Sequence, residues 1–183
     1  MLKSIIYKSL YGVDGMKVWI TLIIFMIFII VVLPSEAARS QQFFGDTSPP
    51  DTFFYYSGEE LYRIAGDFDS QGRAYYIRSR FTFDIVWPIV YGLFLWAAIA
   101  YFLKSYKYSR ARYLVLLPII GVLLDFLENT GASLVMALYP EKFSPLLHIV
   151  PIFTLTKWLS IGASFLALVL LMTTRCIMLF QSR

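Results

Sequence analysis

Asp125, Glu128 and Asn129 stand close together inside an apolar stretch that runs from Leu114 to Leu138. At ~1.5 Å rise per residue the stretch makes about 37 Å of helix, more than the ~30 Å hydrocarbon core of a bilayer. Asp125 therefore falls near the midplane. Groups of this kind at that depth are costly unless they are paired or hydrated. Asp125 and Glu128 are three apart and share a helix face. In a low dielectric the two are not both ionised without a cation beside them. A site of this composition can donate and accept protons, or hold a polar group by ion pairing and hydrogen bonds.

The cation is expected from Lys157. Glu128 lies ten residues below Leu138, and Lys157 lies ten below Leu147. In antiparallel neighbours these positions share one level, about 15 Å in. A second source of partners is the segment from Phe81 to Leu103. There Asp84, Pro88, Tyr91 and Leu95 recur on one helical face with Trp87 beside them. Tyr91 reaches the same ~15 Å level, whereas Asp84 stays nearer the surface. Pro88 frees a backbone carbonyl in the outer half of that helix. The expected cluster is Asp84, Tyr91, Asp125, Glu128, Asn129 and Lys157, with Thr154, Thr156 and Ser160 able to complete its hydrogen bonds. His148 is shallow and is read as an interfacial polar contact.

The structural alternative is a buried ion pair that fixes helix register. Such pairs stabilise poorly compared with apolar packing, and intramembrane ionisable groups are a functional hypothesis by default. The excess of acids over Lys157 favours function. Three classes follow. A pocket could bind a lipid or small amphiphile, with or without catalysis. The charged groups could belong to a proton- or ion-coupled transporter or channel subunit. Or the chain could be an accessory or scaffold protein whose aromatic outer segment meets a partner.

Other chemistry is thinly represented. Cys176 and His148 are the only residues of their types, so a zinc site of the usual kind is not expected, nor is an intrachain disulfide. The run from Asp67 to Gly72 begins like a calcium loop, but its twelfth position is Arg78 rather than a bidentate Glu. No glycine-rich phosphate loop or nucleophile elbow is present. We expect no metal and no cofactor.

Composition places these residues in a membrane. Of 183 residues 58% are hydrophobic and 15% charged, against ~25% charged in soluble domains. The net charge of +4 comes from flanking Lys and Arg and does not point to nucleic acid. The expected fold is an all-α integral membrane protein. It is a four-helix transmembrane bundle with spans at about 18–34, 81–103, 113–138 and 146–172, in one domain. Between the first two spans, 35–80 forms an extracytoplasmic amphipathic and aromatic segment, rich in Phe43, Phe44, Phe53, Phe54, Tyr55 and Tyr56. Ser57-Gly58-Glu59-Glu60 reads as a capping box that opens a helix there. Another helix is expected to start near Gln71.

The first apolar run has two readings. It is a retained span ended by Pro34, or residues 1–37 are a cleaved signal peptide with Ser35-Glu36-Ala37 as the small-x-small site. Both put the following chain on the far side of the membrane. The inside segments hold nine Lys or Arg and one acid, while 36–80 holds five Arg and seven acids. The positive-inside rule then makes both termini cytoplasmic. Membrane lipids are the expected partners, with a homo-oligomer or a membrane protein partner also open.

The string Gly72-Arg73-x-x-Tyr76, Asp84-x-x-x-Pro88-x-x-Tyr91, Asp125-x-x-Glu128-Asn129 and Lys157-Trp158 covers much of residues 55–175. It resembles small uncharacterised four-helix integral membrane proteins of bacteria. The resemblance implies the bundle and a bacterial cytoplasmic (inner) membrane. It brings no activity, cofactor or ligand.

Overall fold

In the computed structural model the described residues are 12–104, 106 and 110–181. Lys3, Lys8 and residues 105 and 107–109 of the basic 104–112 connector, Lys107 among them, lie outside them. The described chain is all-helical.

Asp14 opens the first helix by accepting the Lys17 N–H. α1 (Gly15–Ile27) passes through a π-helical stretch, Phe28–Val32, into α2 (Leu33–Phe44). Pro34 was expected to end this helix and does not. The preceding turn has widened, so that the Leu33 N–H bonds the carbonyl of Phe28, five residues back. Pro34 then sits in the first turn of α2, where its missing N–H costs little. The helix ends at Gly45, whose φ of +56° suits a residue without a Cβ.

The outer segment follows. A 3₁₀ turn, Pro50–Thr52, leads to α3 (Gly58–Asp67). The Ser57 side chain accepts the Glu60 N–H, and the Glu60 carboxylate accepts the Ser57 N–H, completing the capping box. α4 (Ser70–Arg80) starts from an Asp69 cap that accepts the Gly72 N–H. Asp67 closes α3 in an ion pair with Arg63 at 2.8 Å. A turn at Phe81–Thr82 separates α4 from α5 (Phe83–Leu103), so the juxtamembrane part and the span are two helices.

A 3₁₀ turn (Ala111–Val115) precedes α6 (Leu116–Leu138), the helix that carries Asp125 and Glu128. The last helix, α7 (Ser144–Gln181), is 38 residues long and continues past the expected end at 172. Among the described residues three stretches are long and apolar enough to cross a membrane: Gly15–Phe44, Ser70–Leu103 and Ser144–Gln181. They mark the chain as a membrane protein. α6 packs most extensively against α7 and next against α5, which in turn meets α1.

Two apolar cores lie on either side of the charged residues. The first joins α5 to α7 and the start of α6 through Leu95, Ala98, Ile99, Leu103, Val115, Leu168 and Leu171. The second places Tyr56, Leu61, Ile64, Phe68, Tyr75 and Tyr76 of the outer segment on Ala132, Val135, Met136, Leu147 and Val150 of α6 and α7. The aromatic segment is therefore split. Phe44 and Tyr56 are buried in this cap, whereas Phe54 and Tyr55 are exposed. Gly58 permits the cap to sit close. A Cβ there would collide with the carbonyl of Leu147 and come within 2.9 Å of its Cβ. That carbonyl lies four residues before Pro151, which has no N–H to bond it.

Candidate functional site

α6 and α7 bring the two halves of the expected cluster together. Lys157 Nζ contacts Glu128 Oε2 in a close ion pair and lies 3.6 Å from Asp125 Oδ1. Glu128, Asn129 and Lys157 are each no more than 3% exposed. The i, i+3 spacing of Asp125 and Glu128 lets one ammonium from α7 serve both carboxylates. Tyr91 of α5 donates to Asp125 Oδ2 at 2.8 Å. Thr154, one turn outward of Lys157, donates to Glu128 Oε1 at 2.7 Å and lies 2.9 Å from the Tyr56 hydroxyl.

Asp84 sits apart from this group and has its own cation. Arg80, the last residue of α4, meets Asp84 Oδ2 through Nε at 2.9 Å and Asp51 Oδ2 through Nη1 at 2.6 Å. Its guanidinium also lies over the Tyr76 ring, 4.6 Å from the centroid. Asn129 joins the two groups. Its Nδ2 donates to Asp125 Oδ1 at 3.3 Å and to the backbone carbonyl of Asp84 at 3.4 Å. That carbonyl is the one Pro88 leaves without a helical donor.

Each buried cation is thus held between two carboxylates: Arg80 by Asp51 and Asp84, Lys157 by Asp125 and Glu128. Formally the network carries four negative and two positive charges. Burial works to raise the Asp51 carboxyl, but the Arg80 guanidinium outweighs it and holds the group below its ordinary value. Burial also pushes the Tyr56 phenol above its usual range, so it remains a donor.

The network lines one end of a cavity of about 550 Å³. Asp51, Arg80, Asp84, Asp125 and Lys157 supply its polar wall. Trp87, Tyr91 and Trp158 flank them. Phe25, Ile29 and Leu33 of the first helix face Ile161 and Phe165 of α7 across the apolar remainder. The Phe25 and Phe165 rings, 6.4 Å apart, meet at the inner end. Above the polar end runs the loop from Gly45 to Ser57. It is tied to the helices by Asp51 on Arg80 and by the Trp158 Nε1–H donating to the carbonyl of Phe53 at 3.0 Å.

Of the residues singled out in the sequence, Asp125, Glu128, Asn129, Lys157 and Tyr91 form one connected group, and Asp84 joins it through its backbone. Thr156 instead bonds carbonyls of its own helix. His148 is exposed and contacts Ser144. Arg80, Asp51 and Tyr56 were not expected at the site. Arg80 carries a readable signal, four residues before Asp84 and on the same face. Asp51 lies in irregular chain, and no periodicity could have placed it. No family model, curated protein or solved structure matches this chain.

Proposed function

We propose that the protein binds a lipid or small amphiphile in the cavity between the first helix and α7. It does so as a four-helix transmembrane bundle: the first helix, α5, α6 and α7 are the spans, and 45–80 caps the outer side. Both termini then face the cytoplasm, and the expected setting is a bacterial inner membrane. The charge asymmetry of the flanking segments supports that orientation.

The observation that carries the binding reading is the shape of the cavity. One end is walled by charged side chains and the remainder by apolar ones that reach the lipid-facing first helix. An amphiphile fits this division, its head at the ion pairs that Arg80 and Lys157 make with Asp51, Asp84 and Asp125, and its chain between Ile29 and Ile161. A transport reading needs polar groups in both halves of the membrane. On the inner side of Asp125 the helices are closed by Leu95, Ile99, Val115, Leu168 and Leu171.

The test is native mass spectrometry of protein purified in a mild, easily stripped detergent. The expected result is a bound amphiphile of defined mass on the wild type. Ala37 lines the cavity, and Ala37→Trp fills part of it and is expected to lose that mass while folding normally. Equal retention by the variant, or heterogeneous lipid at random stoichiometry, refutes the reading.

A further inference from the structure

The charge of the network says which head the cavity takes. This inference rests on the binding reading above. Four carboxylates, Asp51, Asp84, Asp125 and Glu128, surround two cations, Arg80 and Lys157. Glu36 stands at the outer rim of the same cavity, held by the Tyr75 hydroxyl at 2.7 Å and by Arg39 at 3.5 Å. Neither buried cation is free for an incoming anion, because each is already bridged by two carboxylates. A phosphate or carboxylate head would enter a site with a surplus of negative charge and no unspent donor pair.

A positive head meets the opposite situation. Arg80 occupies Asp84 Oδ2, and among the described residues no hydrogen bond engages Asp84 Oδ1. Beside it, Trp87, Tyr91 and Trp158 line the cavity, and the Lys157 ammonium already lies 5.1 Å from the Trp158 ring centroid. Trp87 and Tyr91 are set edge to face with centroids 5.6 Å apart. Aromatic rings beside a carboxylate that keeps one oxygen unengaged, in a network where carboxylates outnumber cations, are the chemistry that recognises an ammonium, alkylated or not. The rest of the cavity is apolar and leads away between α1 and α7. We infer that the cavity holds an amphiphile with a cationic amine head, seated against Asp84 and Asp125 among Trp87, Tyr91 and Trp158, with its chain along Phe25, Ile29 and Phe165. The head supplies positive charge that the buried network lacks.

The test uses purified full-length protein in dodecyl maltoside and compares four probes by saturable thermal shift and by quenching of tryptophan fluorescence. The probes are dodecyltrimethylammonium, dodecyl phosphate, dodecanol and tetramethylammonium chloride. Dodecyltrimethylammonium is expected to bind about tenfold or more tightly than the phosphate and the alcohol. Asp84→Asn and Asp125→Asn are each expected to remove that preference. Each variant keeps a carboxylate on the neighbouring cation, Asp51 on Arg80 or Glu128 on Lys157, so the helices stay joined. Trp158→Leu, which removes a ring and no charge, serves as a further variant and is expected to weaken the ammonium and not the alcohol.

If the three chain-bearing probes bind alike, the cationic inference fails and the amphiphile pocket stands. If tetramethylammonium binds as tightly as its dodecyl analogue, the site recognises a small cation and the amphiphile reading fails. If dodecyl phosphate binds best, the charge argument is wrong. If no probe saturates, both readings fail.

Discussion

Removing the Asn129 side chain should expose a debt created by Pro88, forty-one residues earlier. Pro88 has no N–H, so the Asp84 carbonyl lacks its helical donor, and Asn129 Nδ2 reaches it from α6 at 3.4 Å. The same nitrogen gives its other hydrogen to Asp125 Oδ1 at 3.3 Å. Both bonds are long for N–H···O, which places them at the weak end. Leaving a buried acceptor unsatisfied costs about 1–3 kcal/mol. Asn129→Ala is therefore expected to cost about 2 kcal/mol, or ~4–8 °C of melting temperature for a chain of this size. Pro88→Ala restores an N–H facing Asp84 O. In that background the Asn129 change should cost about 1 kcal/mol less, since only the Asp125 bond is lost. Pro88→Ala alone has opposing effects, a gained hydrogen bond against a void where a buried ring was. The cycle does not depend on its sign. The assay is thermal unfolding of wild type, both single variants and the double in one detergent, followed by far-UV circular dichroism. Equal cost of Asn129→Ala in both backgrounds refutes the idea that Asn129 serves the carbonyl that Pro88 frees.

Further expectations concern the ion pairs and the cap. Lys157→Met is expected to cost about 3–5 kcal/mol, because it strands two buried carboxylates. Adding Glu128→Gln recovers only part of this, and full recovery needs Asp125→Asn as well; complete recovery in the Glu128–Lys157 double variant would show that Asp125 is not a partner. Gly58→Ala is expected to lift α3 off Leu147 and to raise hydrogen exchange at Leu61 to Ala65, with exchange in α5 unchanged as the control. The folded Asp51 carboxyl lies below its ordinary value of about 3.9, so its attachment to Arg80 stabilises above that pH and is lost as pH falls through the folded value. Acidification is thus expected to free the Gly45–Ser57 loop and shift Trp158 emission, with the transition absent in Asp51→Asn.

How much of this was legible in the sequence follows the reach of helical periodicity. The level of Glu128 and Lys157 could be computed by counting inward from two helix ends, because rise per residue is constant within a helix. The capping box at Ser57 and the consequence of Pro88 were readable because both are local rules of hydrogen bonding. Pro34 misled, since the turn before it widens to π and the helix continues with Pro34 in the first turn that follows. Arg80 looked like an ordinary juxtamembrane cation. Its burial depends on Asp51, which comes from a loop that no repeat constrains. The division of the cap, with Tyr56 inside and its neighbour Tyr55 outside, is likewise set by docking on α6 and α7 rather than by residue type.

The first helix is held to the rest of the protein along one face, which meets α5. From Gly15 to Phe43 only Phe25 is buried, wedged near Trp87 and Phe94, yet Ile29 and Leu33 form a whole side of the cavity. Most of its apolar surface is exposed, and it joins the first core through Phe25, with Val18, Leu22 and Phe28 packed beside it. On the reading proposed above, an occupant would enter sideways past this helix, at the opposite side of the cavity from the loop that holds Asp51 on Arg80. On that reading, the entry to the cavity and the cover over its charges belong to separate parts of the chain.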